Sequence, residues 1–196
     1  MAKKIYILLG HPDKETLSGH YADVYEEAAR DAGHEVRRSN IGDLNFDPIL
    51  HQGYKVIQEL EPDLKHVQEN LKWADHFVLV YPVWWSATPA LLKGLFDRIW
   101  LPGFCFRMKK HRTWHSFPGW EKFMKGKTAR VISLSNMRPW LIRLLFGDFT
   151  NETSRATLGF VGYRVRRTEI GNAEKLSSKK KESWRKRLRA LARTAR

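Results

Sequence analysis

Cysteine is almost absent from this 196-residue chain, in which Cys105 is the only one. A single cysteine cannot form an internal disulfide or a cysteine-rich metal site, so the sequence favours a reducing compartment, and we expect a cytoplasmic protein. Long apolar runs are also missing, because no segment approaches the roughly 18 residues that a membrane-spanning helix needs. The short run at residues 5–9 is therefore predicted to be a buried strand rather than a signal sequence.

Two nucleotide-binding signatures are missing as well. The chain contains neither a G-x-G-x-x-G fingerprint nor a G-x-x-x-x-G-K-[ST] phosphate loop, which argues against a Rossmann dehydrogenase and a nucleoside triphosphatase. Histidines are present but lack metal-ligand spacing, so we expect no metal site and no dedicated histidine acid or base. The eight histidines are His11, His20, His34, His51, His66, His76, His111 and His115.

Acidic residues are few, with 21 against 35 Lys and Arg, and the formal net charge is +14. Residues 175–196 hold ten Lys and Arg but one acid, Glu182, and include the lysine patch at 177–181. This last segment also carries an apolar helical stripe of Trp184, Leu188, Leu191 and Ala195. Two interpretations stay open: a final helix that packs its stripe and leaves its charges in solvent, or a peripheral contact with the anionic inner face of a membrane. No recognition motif accompanies the charge, so we expect no nucleic-acid partner.

Apolar segments alternate with helix-period segments along the chain. The predicted strands are residues 5–9, 34–41, 77–82, 129–134 and 163–170. The first helix presents Tyr21, Tyr25, Ala28, Ala29 and Ala32 on one face and ends before Gly33. Further helices are predicted to begin with Asp63 as N-cap and with Pro89 in the first turn, and another is predicted at about 151–160.

This alternation is typical of one α/β domain spanning residues 1–196. Strands that are buried on both faces lose the polar half of their alternation, as these segments do. Right-handed crossovers then give a doubly wound, five-stranded parallel sheet of order 2-1-3-4-5. Residues 107–126 are basic and aromatic without periodicity, and they are predicted to be an irregular insertion.

Ligands of such sheets bind outside the carboxyl ends of the strands. The first strand is followed by a loop that holds His11, Thr16 and Ser18 and leads into a helix. Backbone N–H groups and hydroxyls at a helix N-terminus favour an anion, and a phosphate is the natural guest. The alternative is that Ser18 only caps the helix and His11 only forms the turn.

The third predicted strand leads into the segment Tyr81-Pro82-Val83-Trp84-Trp85-Ser86-Ala87-Thr88-Pro89. The two prolines restrict φ at both ends of the loop. Adjacent tryptophans at a strand end cannot both point into one core, so at least one is predicted to line a crevice as a stacking surface. A core role for the pair is the alternative.

Residues 81–98, which combine this loop with the helix Leu-Lys-Gly-Leu-Phe-Asp-Arg, resemble the flavin-ring loop of the NAD(P)H:quinone oxidoreductase family, the flavodoxin-like reductases. Residues 101–106 resemble the Gly-Phe-Ala-Tyr stretch of that family, and a weak resemblance continues through 159–162. The resemblance implies a flavodoxin-like fold and a flavoprotein that transfers hydride in two steps, from NAD(P)H through FMN to a quinone-like acceptor.

The same resemblance implies the site residues. The cofactor-binding residues would be His11, Thr16, Leu17, Ser18, Pro82, Val83, Trp84, Trp85 and Ser86, with the backbone of 83–86 bonded to the flavin ring. Phe104 and Phe106 would lie near the substrate. FMN is favoured over FAD because so short a chain leaves little material to house an adenosine.

The loop after the fourth predicted strand resembles that of a shorter bacterial branch of the family, and Ser135, Asn136, Met137 and Arg138 are expected at the cofactor. Ser135 and Pro139 keep the pattern of the branch, whereas Met137 and Arg138 replace an acid and a hydroxyl. Arg138 could contact the N1–C2=O edge of the reduced flavin or an NADPH phosphate, or it could face solvent. The first two alternatives would give Arg138 a part in catalysis.

The resemblance also implies a homodimer, because the partner subunit completes the flavin pocket in these reductases. The aromatics at residues 114–123 are predicted to belong to that interface. An alternative function stays open. A flavin-binding regulatory or interaction subunit with little turnover, of the kind that serves potassium-efflux systems, would keep the fold and lose the activity.

Overall fold

The computed structural model describes residues 1–109 and 119–195. A five-stranded parallel sheet is built from β1 (Lys4–Leu9), β2 (Glu35–Asn40), β3 (His76–Pro82), β6 (Thr128–Leu134) and β7 (Arg164–Ile170). Its order is β2-β1-β3-β6-β7, which is the predicted order 2-1-3-4-5 of a doubly wound sheet. The strands pair in register up to Leu9 with Asn40 and Pro82 with Leu134, so their carboxyl ends meet along one edge.

Helices cover both faces of this sheet. They are α1 (Leu17–Asp31), α2 (Pro62–Trp73), α3 (Ala90–Ile99), α4 (Pro139–Phe146) and α5 (Ser178–Thr194). Residues Ile5, Ile7 and Leu9 of β1 pack with α1 and α5, while Tyr6 and Leu8 pack with α2 and α3 on the other face. Because both sides of β1 are buried, its sequence reads as an uninterrupted apolar run.

The C-terminal helix α5 packs its apolar stripe against the protein, as the first of its two interpretations predicts. Leu188 and Ala192 are buried against the α1 face of the sheet, and Trp184 and Leu191 pack partly buried beside them. Its cationic side chains occupy the remaining faces. No helix in the two described stretches of the chain is long and apolar enough to cross a membrane.

Three local predictions need correction or extension. The N-cap of α2 is Glu61 and Pro62 occupies the first helical position, so the prediction of Asp63 as N-cap was wrong. Asp63 instead accepts a hydrogen bond from the Asn45 N–H at 2.7 Å. The helix predicted at about 151–160 is present as a π-helix at Glu152–Gly159, and α4 was not predicted at all.

The region predicted as an irregular insertion contains a two-stranded antiparallel sheet. Strand β4 (Phe106–Met108) pairs with β5 (Trp120–Lys122), and Phe106 stands opposite Lys122. The intervening residues 110–118, on which part of the predicted aromatic interface falls, lie outside the described residues.

Candidate functional site

A cleft of about 350 Å³ opens at the carboxyl edge of the parallel sheet. The loops after β1, β3, β6 and β7 all contribute to it, as the carboxyl-end rule for doubly wound sheets predicts. Its lining residues are His11, Thr16, Leu17, Ser18, Pro82, Val83, Trp84, Leu134, Ser135, Asn136, Ala173 and Glu174. Nine of the predicted cofactor-binding residues are therefore brought together in one place.

The loop after β1 is held by hydrogen bonds of its own. The Asp13 N–H donates to His11 Nδ1 at 2.9 Å, and the Glu15 N–H donates to Asp13 Oδ1 at 2.8 Å. Since Nδ1 of His11 accepts, the proton of its neutral ring belongs on Nε2, which is left as a donor. The His11 ring stands edge-on to Trp84 with a centroid separation of 5.5 Å. This contact joins the loop after β1 to the loop after β3.

Thr16, not Ser18, is the N-cap of α1. The hydroxyl of Thr16 accepts from the Gly19 N–H at 3.3 Å and donates to the Asp13 carbonyl at 3.2 Å. The N–H groups of Leu17 and Ser18, in the first turn, have no carbonyl partner within the helix. No acid lies in this turn, and the Ser18 hydroxyl makes no hydrogen bond within the described residues. The cleft therefore ends in a helix terminus whose donors suit a phosphate.

A glycine shapes the entry to this helix. A Cβ on Gly19 would lie 1.8 Å from the Lys14 carbonyl oxygen, so only glycine lets the loop fold so closely over the first turn. One residue further along, the Arg185 guanidinium of α5 donates to His20 Nε2 at 2.7 Å. Burial, and then the charge of Arg185, lower the pKa of His20. The imidazole is thus held neutral beside the helix terminus.

The tryptophan loop after β3 forms a tight two-residue turn. The Trp84 N–H donates to the Ala87 carbonyl at 3.1 Å, and the Ala87 N–H donates back at 2.9 Å. The two central residues, Trp85 and Ser86, have φ of +51° and +60°. Turns with positive φ at both central positions normally use Asn-Gly, so this one holds two side chains in a strained conformation. Trp84 is half-exposed in the cleft, and the side chain of Trp85 is fully exposed at the tip.

This geometry decides which N–H groups of the loop remain for a ligand. The Val83 N–H donates to the Leu134 carbonyl at 2.7 Å, and the Trp84 N–H is used in the turn. Of the four backbone positions predicted to bond a flavin ring, only Trp85 and Ser86 have N–H groups without a partner among the described residues. Trp85 and Ser86 stand at the rim and are not among the lining residues.

The loop after β6 contributes Ser135 and Asn136 to the cleft wall. Ser135 uses its hydroxyl internally and donates to the Met137 carbonyl at 2.8 Å. Asn136 Oδ1 accepts from the Glu174 N–H at 3.3 Å, which leaves its amide NH₂ as the available donor. Met137 and Arg138 are exposed and lie outside the lining. Arg138 is the N-cap of α4, and its guanidinium has no hydrogen-bond partner in the described part of the chain.

Ala173 and Glu174 were missed by sequence reasoning. They follow β7 and are joined to the loop after β6, because the Ala173 N–H donates to the Ser135 carbonyl at 3.0 Å. The same rule that pointed to the ends of the first, third and fourth strands applies to the fifth, so the position after Ile170 was the available signal. Glu174 brings the only carboxylate found among the lining residues.

The predicted substrate residues lie elsewhere. Phe104 is buried and stacks on Trp100 at a centroid distance of 6.1 Å. Phe106 meets Phe160 edge-on at 5.1 Å and lines a separate apolar groove of about 700 Å³. Neither residue lines the cleft of the same chain. Between them, the thiol of Cys105 is buried and donates to the Leu101 carbonyl at 3.6 Å.

The donor set of the cleft fits a flavin mononucleotide. The α1 terminus, with the Ser18 hydroxyl, suits its phosphate, whereas Trp84 and the free N–H groups of the turn suit the ring end. Among residues 1–109 and 119–195, no three His, Cys, Asp or Glu side chains are grouped to hold a metal ion. Fold and cleft together define a doubly wound α/β protein with an anion-ready site at the carboxyl edge of its sheet.

Comparison with known proteins identifies the family. A family model described as flavodoxin-like fold matches residues 3–194, so the chain belongs to that family, and the predicted fold is confirmed. An uncharacterized NAD(P)H oxidoreductase, YcaK of Escherichia coli (strain K12), is 28% identical over 110 residues, and this match spans about half of each protein, 54% of this chain and 56% of the relative.

Two further matches extend over nearly the whole chain. The ribosyldihydronicotinamide dehydrogenase (quinone) of Mus musculus is 26% identical over 223 residues, covering 96% of this chain and 92% of the relative. The crystal structure of an FMN-dependent NADH-azoreductase from Bacillus anthracis in complex with FMN superposes with a TM-score of 0.76 at 19% identity, covering 100% of both chains. At that identity the superposition establishes the shared fold.

Proposed function

We propose that this protein is an FMN-dependent NAD(P)H:quinone oxidoreductase. The observation that carries the proposal is the convergence, in one cleft, of the uncapped donors of α1 with the tryptophan turn after β3. A phosphate site and an aromatic wall at the two ends of one cleft match the two ends of a flavin mononucleotide. The names of the relatives, which include an NAD(P)H oxidoreductase and a quinone-type dehydrogenase, support the same activity.

Each part of the cleft has a role in this proposal. FMN, when bound, supplies the redox chemistry, because it accepts hydride from NAD(P)H and returns two electrons to a quinone-like acceptor. The N–H groups of Leu17 and Ser18 hold the phosphate at the positive end of α1. Trp84 would form the wall for the ring, and the N–H groups of Trp85 and Ser86, which have no partner among the described residues, would donate to its polar edge. The open side of the cleft would give the electron donor and then the acceptor access to the bound cofactor.

FMN is proposed rather than FAD on the size of the cleft. A volume of about 350 Å³ is near the lower end for small-molecule sites and offers one helix terminus for a phosphate. The azoreductase of similar fold is itself FMN-dependent, which supports the choice. Equilibrium titration with FMN and with FAD tests it, since we expect FMN to bind more tightly.

A homodimer is proposed from the position of Phe106. This predicted substrate residue lies in the apolar groove, whose exposed rim includes Tyr54, Val56 and Ile57. In a two-fold dimer this groove can be covered by the partner, and Phe106 can face the partner's cleft. Ile57→Glu is expected to convert the dimer to a monomer in light scattering. A monomeric wild-type protein would contradict the proposal.

We propose a cytoplasmic location with a peripheral membrane contact. The predicted contact through the C-terminal helix would have to use charges alone, because the apolar stripe of α5 is packed against α1. Charges by themselves give a contact that salt weakens within a Debye length. A contact that also inserts apolar side chains needs another part of the surface.

Reconstitution tests the activity. Purified protein mixed with FMN and desalted should retain the flavin absorbance, lose it on anaerobic addition of NADPH or NADH, and regain it when a short-chain benzoquinone is added. Flavin that is retained but never bleached would favour the alternative, a regulatory flavin-binding subunit. Protein that retains neither FMN nor FAD would contradict both functions.

A further inference from the structure

Helix α4 exposes four of its seven apolar side chains. Trp140, Leu144, Leu145 and Phe146 are 58%, 73%, 56% and 63% exposed. Of the eight residues, only Ile142 is buried, and Arg143 is the only one that carries a charge. A surface helix of a globular protein usually turns its apolar stripe inward and its polar residues outward. Here the apolar residues face solvent on several sides, and such a patch marks an interaction surface.

The helix is nevertheless firmly attached. Arg143 donates to the Glu169 carboxylate of β7, and its Nε lies 3.9 Å from Asp148. At the other end Pro139 packs on Gly171, where an added Cβ would lie only 2.5 Å from the proline Cδ. Ile142 packs into the protein from the middle of the helix. Because Pro139, Ile142 and Arg143 attach the helix, the four exposed apolar side chains are free for contact.

Cations lie at the same edge of the molecule. Helix α5 begins at Ser178, just past the end of β7, so the lysines before and within its first turn stand at the carboxyl edge of the sheet. They are Lys175, Lys179, Lys180 and Lys181, called here the lysine cluster. None of them forms an ion pair within the described residues. The segment leading to the cluster is bonded to the loop that leads into α4, through Ala173 to Ser135 and Glu174 to Asn136.

We propose that α4 and the lysine cluster form a docking face for an anionic lipid bilayer. Apolar and aromatic side chains of a surface helix can insert at the headgroup boundary, while adjacent lysines stay with the lipid phosphates. Tryptophan is enriched at this boundary, and Trp140 and the exposed tip residue Trp85 both come from loops or helices at this edge. A cation near an anionic leaflet strengthens binding about fivefold. An anionic bilayer is the partner that matches this face, because it offers phosphates to the unpaired lysines and an apolar interior to the exposed side chains.

The docking face borders the cleft. Ser135 and Asn136, which line the cleft, lead directly into α4, and the cleft opens at the same edge. If the proposed quinone reductase activity holds, docking would turn the open side of the cleft toward the membrane. A lipid-soluble acceptor could then enter from the bilayer. This consequence rests on the proposed quinone reductase activity, whereas binding to the bilayer does not.

Flotation of the full-length protein with lipid vesicles tests the docking face. The vesicles contain phosphatidylcholine alone or phosphatidylcholine mixed with phosphatidylglycerol. Wild-type protein is expected to float with the anionic vesicles, and less so as salt is raised. The double variant Leu144→Gln and Phe146→Gln should lose at least about tenfold in binding, because each side chain buries apolar area on insertion. Lys179→Gln with Lys180→Gln removes two of the four clustered lysines and should weaken binding about twentyfold, with about half of the salt dependence lost.

Ile49→Gln is the matched control, because Ile49 is also 58% exposed but lies outside α4. Its flotation should equal that of the wild type. Wild-type protein that stays unbound with anionic vesicles, or an α4 double variant that floats like the control, would overturn the proposal. A double variant that changes the oligomeric mass instead would assign α4 to contact with a second copy, which also overturns it. Flotation needs neither FMN nor NAD(P)H, so its result is independent of the activity.

Discussion

The guanidinium of Arg98 donates two hydrogen bonds to the carboxylate of Glu61, at 2.9 and 3.1 Å. Arg98 also donates to the carbonyls of Asp47 and Glu59, and it is 1% exposed. Burial would raise the pKa of the Glu61 carboxyl, but backbone N–H donors and Arg98 hold it below its usual value. One side chain of α3 thus fastens the segment that leads into α2.

Replacement of Arg98 should lower the stability of the protein. Arg98→Met leaves a partly buried carboxylate and two carbonyls without their donor, and we expect the free energy of unfolding to fall by about 3–5 kcal/mol. Lys93→Ala is the control on the same helix, because Lys93 pairs with Asp97 at the surface at 2.7 Å. It should cost no more than about 1 kcal/mol. Urea denaturation measures both, and equal losses would show that the Arg98 contacts contribute little.

Ser86 should be replaceable by glycine with a gain in stability. Its φ of +60° costs a side-chain-bearing residue roughly 1 kcal/mol or more, and glycine is the usual residue at the second position of such a turn. Ser86→Gly is therefore expected to raise the free energy of unfolding by about 1 kcal/mol. Trp85→Ala keeps the positive φ and should give no such gain. A destabilised Ser86→Gly would mean that the serine side chain holds the turn.

The hydroxyls of Thr16 and Ser18, at the start of α1, should have different effects: the first on stability and the second on FMN binding. Thr16→Ala removes the N-cap and should lower the free energy of unfolding by about 1 kcal/mol. Ser18→Ala removes only a free donor of the cleft, so it should leave stability unchanged and weaken FMN binding about tenfold. Thermal denaturation and flavin fluorescence titration measure the two effects. Unchanged FMN affinity in Ser18→Ala would remove Ser18 from the phosphate site.

Mild acid should destabilise the protein through His76. Burial, and then the charges of Lys3 and Arg130, lower the pKa of His76 from 6.5 to about 3. Between these two pH values the unfolded chain binds a proton at His76 that the folded protein does not. The contribution of His76 to the free energy of unfolding is therefore fully present above pH 6.5 and is lost as the pH drops toward 3. The slope contributed is up to about 1.4 kcal/mol per pH unit.

Urea denaturation between pH 6.5 and 5 isolates this effect from most carboxylates. His76→Gln should flatten the pH dependence of stability, with a smaller slope remaining from His20, whose pKa is also lowered. His66→Gln, which changes an exposed histidine of α2, should keep the wild-type slope. A His76 variant with an unchanged slope would assign the acid sensitivity to other groups.

The strand order and most of the cleft were accessible to sequence reasoning, because burial on both faces leaves a visible trace. Strand β1 is continuous in apolar residues for that reason, and the ends of parallel strands indicate a site without knowledge of side-chain positions. The choice between Thr16 and Ser18 as N-cap was not accessible. Both residue types cap helices well, and the extended backbone of Thr16, with φ of −127°, decides between them.

Helix α4 could not be predicted for a different reason. Periodicity identifies a helix that hides one face, whereas residues 139–146 are apolar on several sides and leave no polar stripe to define the period. The positions of Phe104 and Phe106 were also beyond local patterns. Their placement depends on the packing of Trp100 and Phe160, which are separated from each other by 59 residues of chain.

The burial of Cys105 has a chemical consequence for the proposed activity. Quinones are electrophiles that alkylate thiolates, and burial raises the pKa of the Cys105 thiol to about 12. The chain therefore presents no thiolate to such an acceptor, and repeated turnover should leave the protein free of covalent adducts. For the same reason, a cysteine introduced at the surface would be the one site that maleimide reagents modify, which makes the native sequence a ready background for site-specific probes.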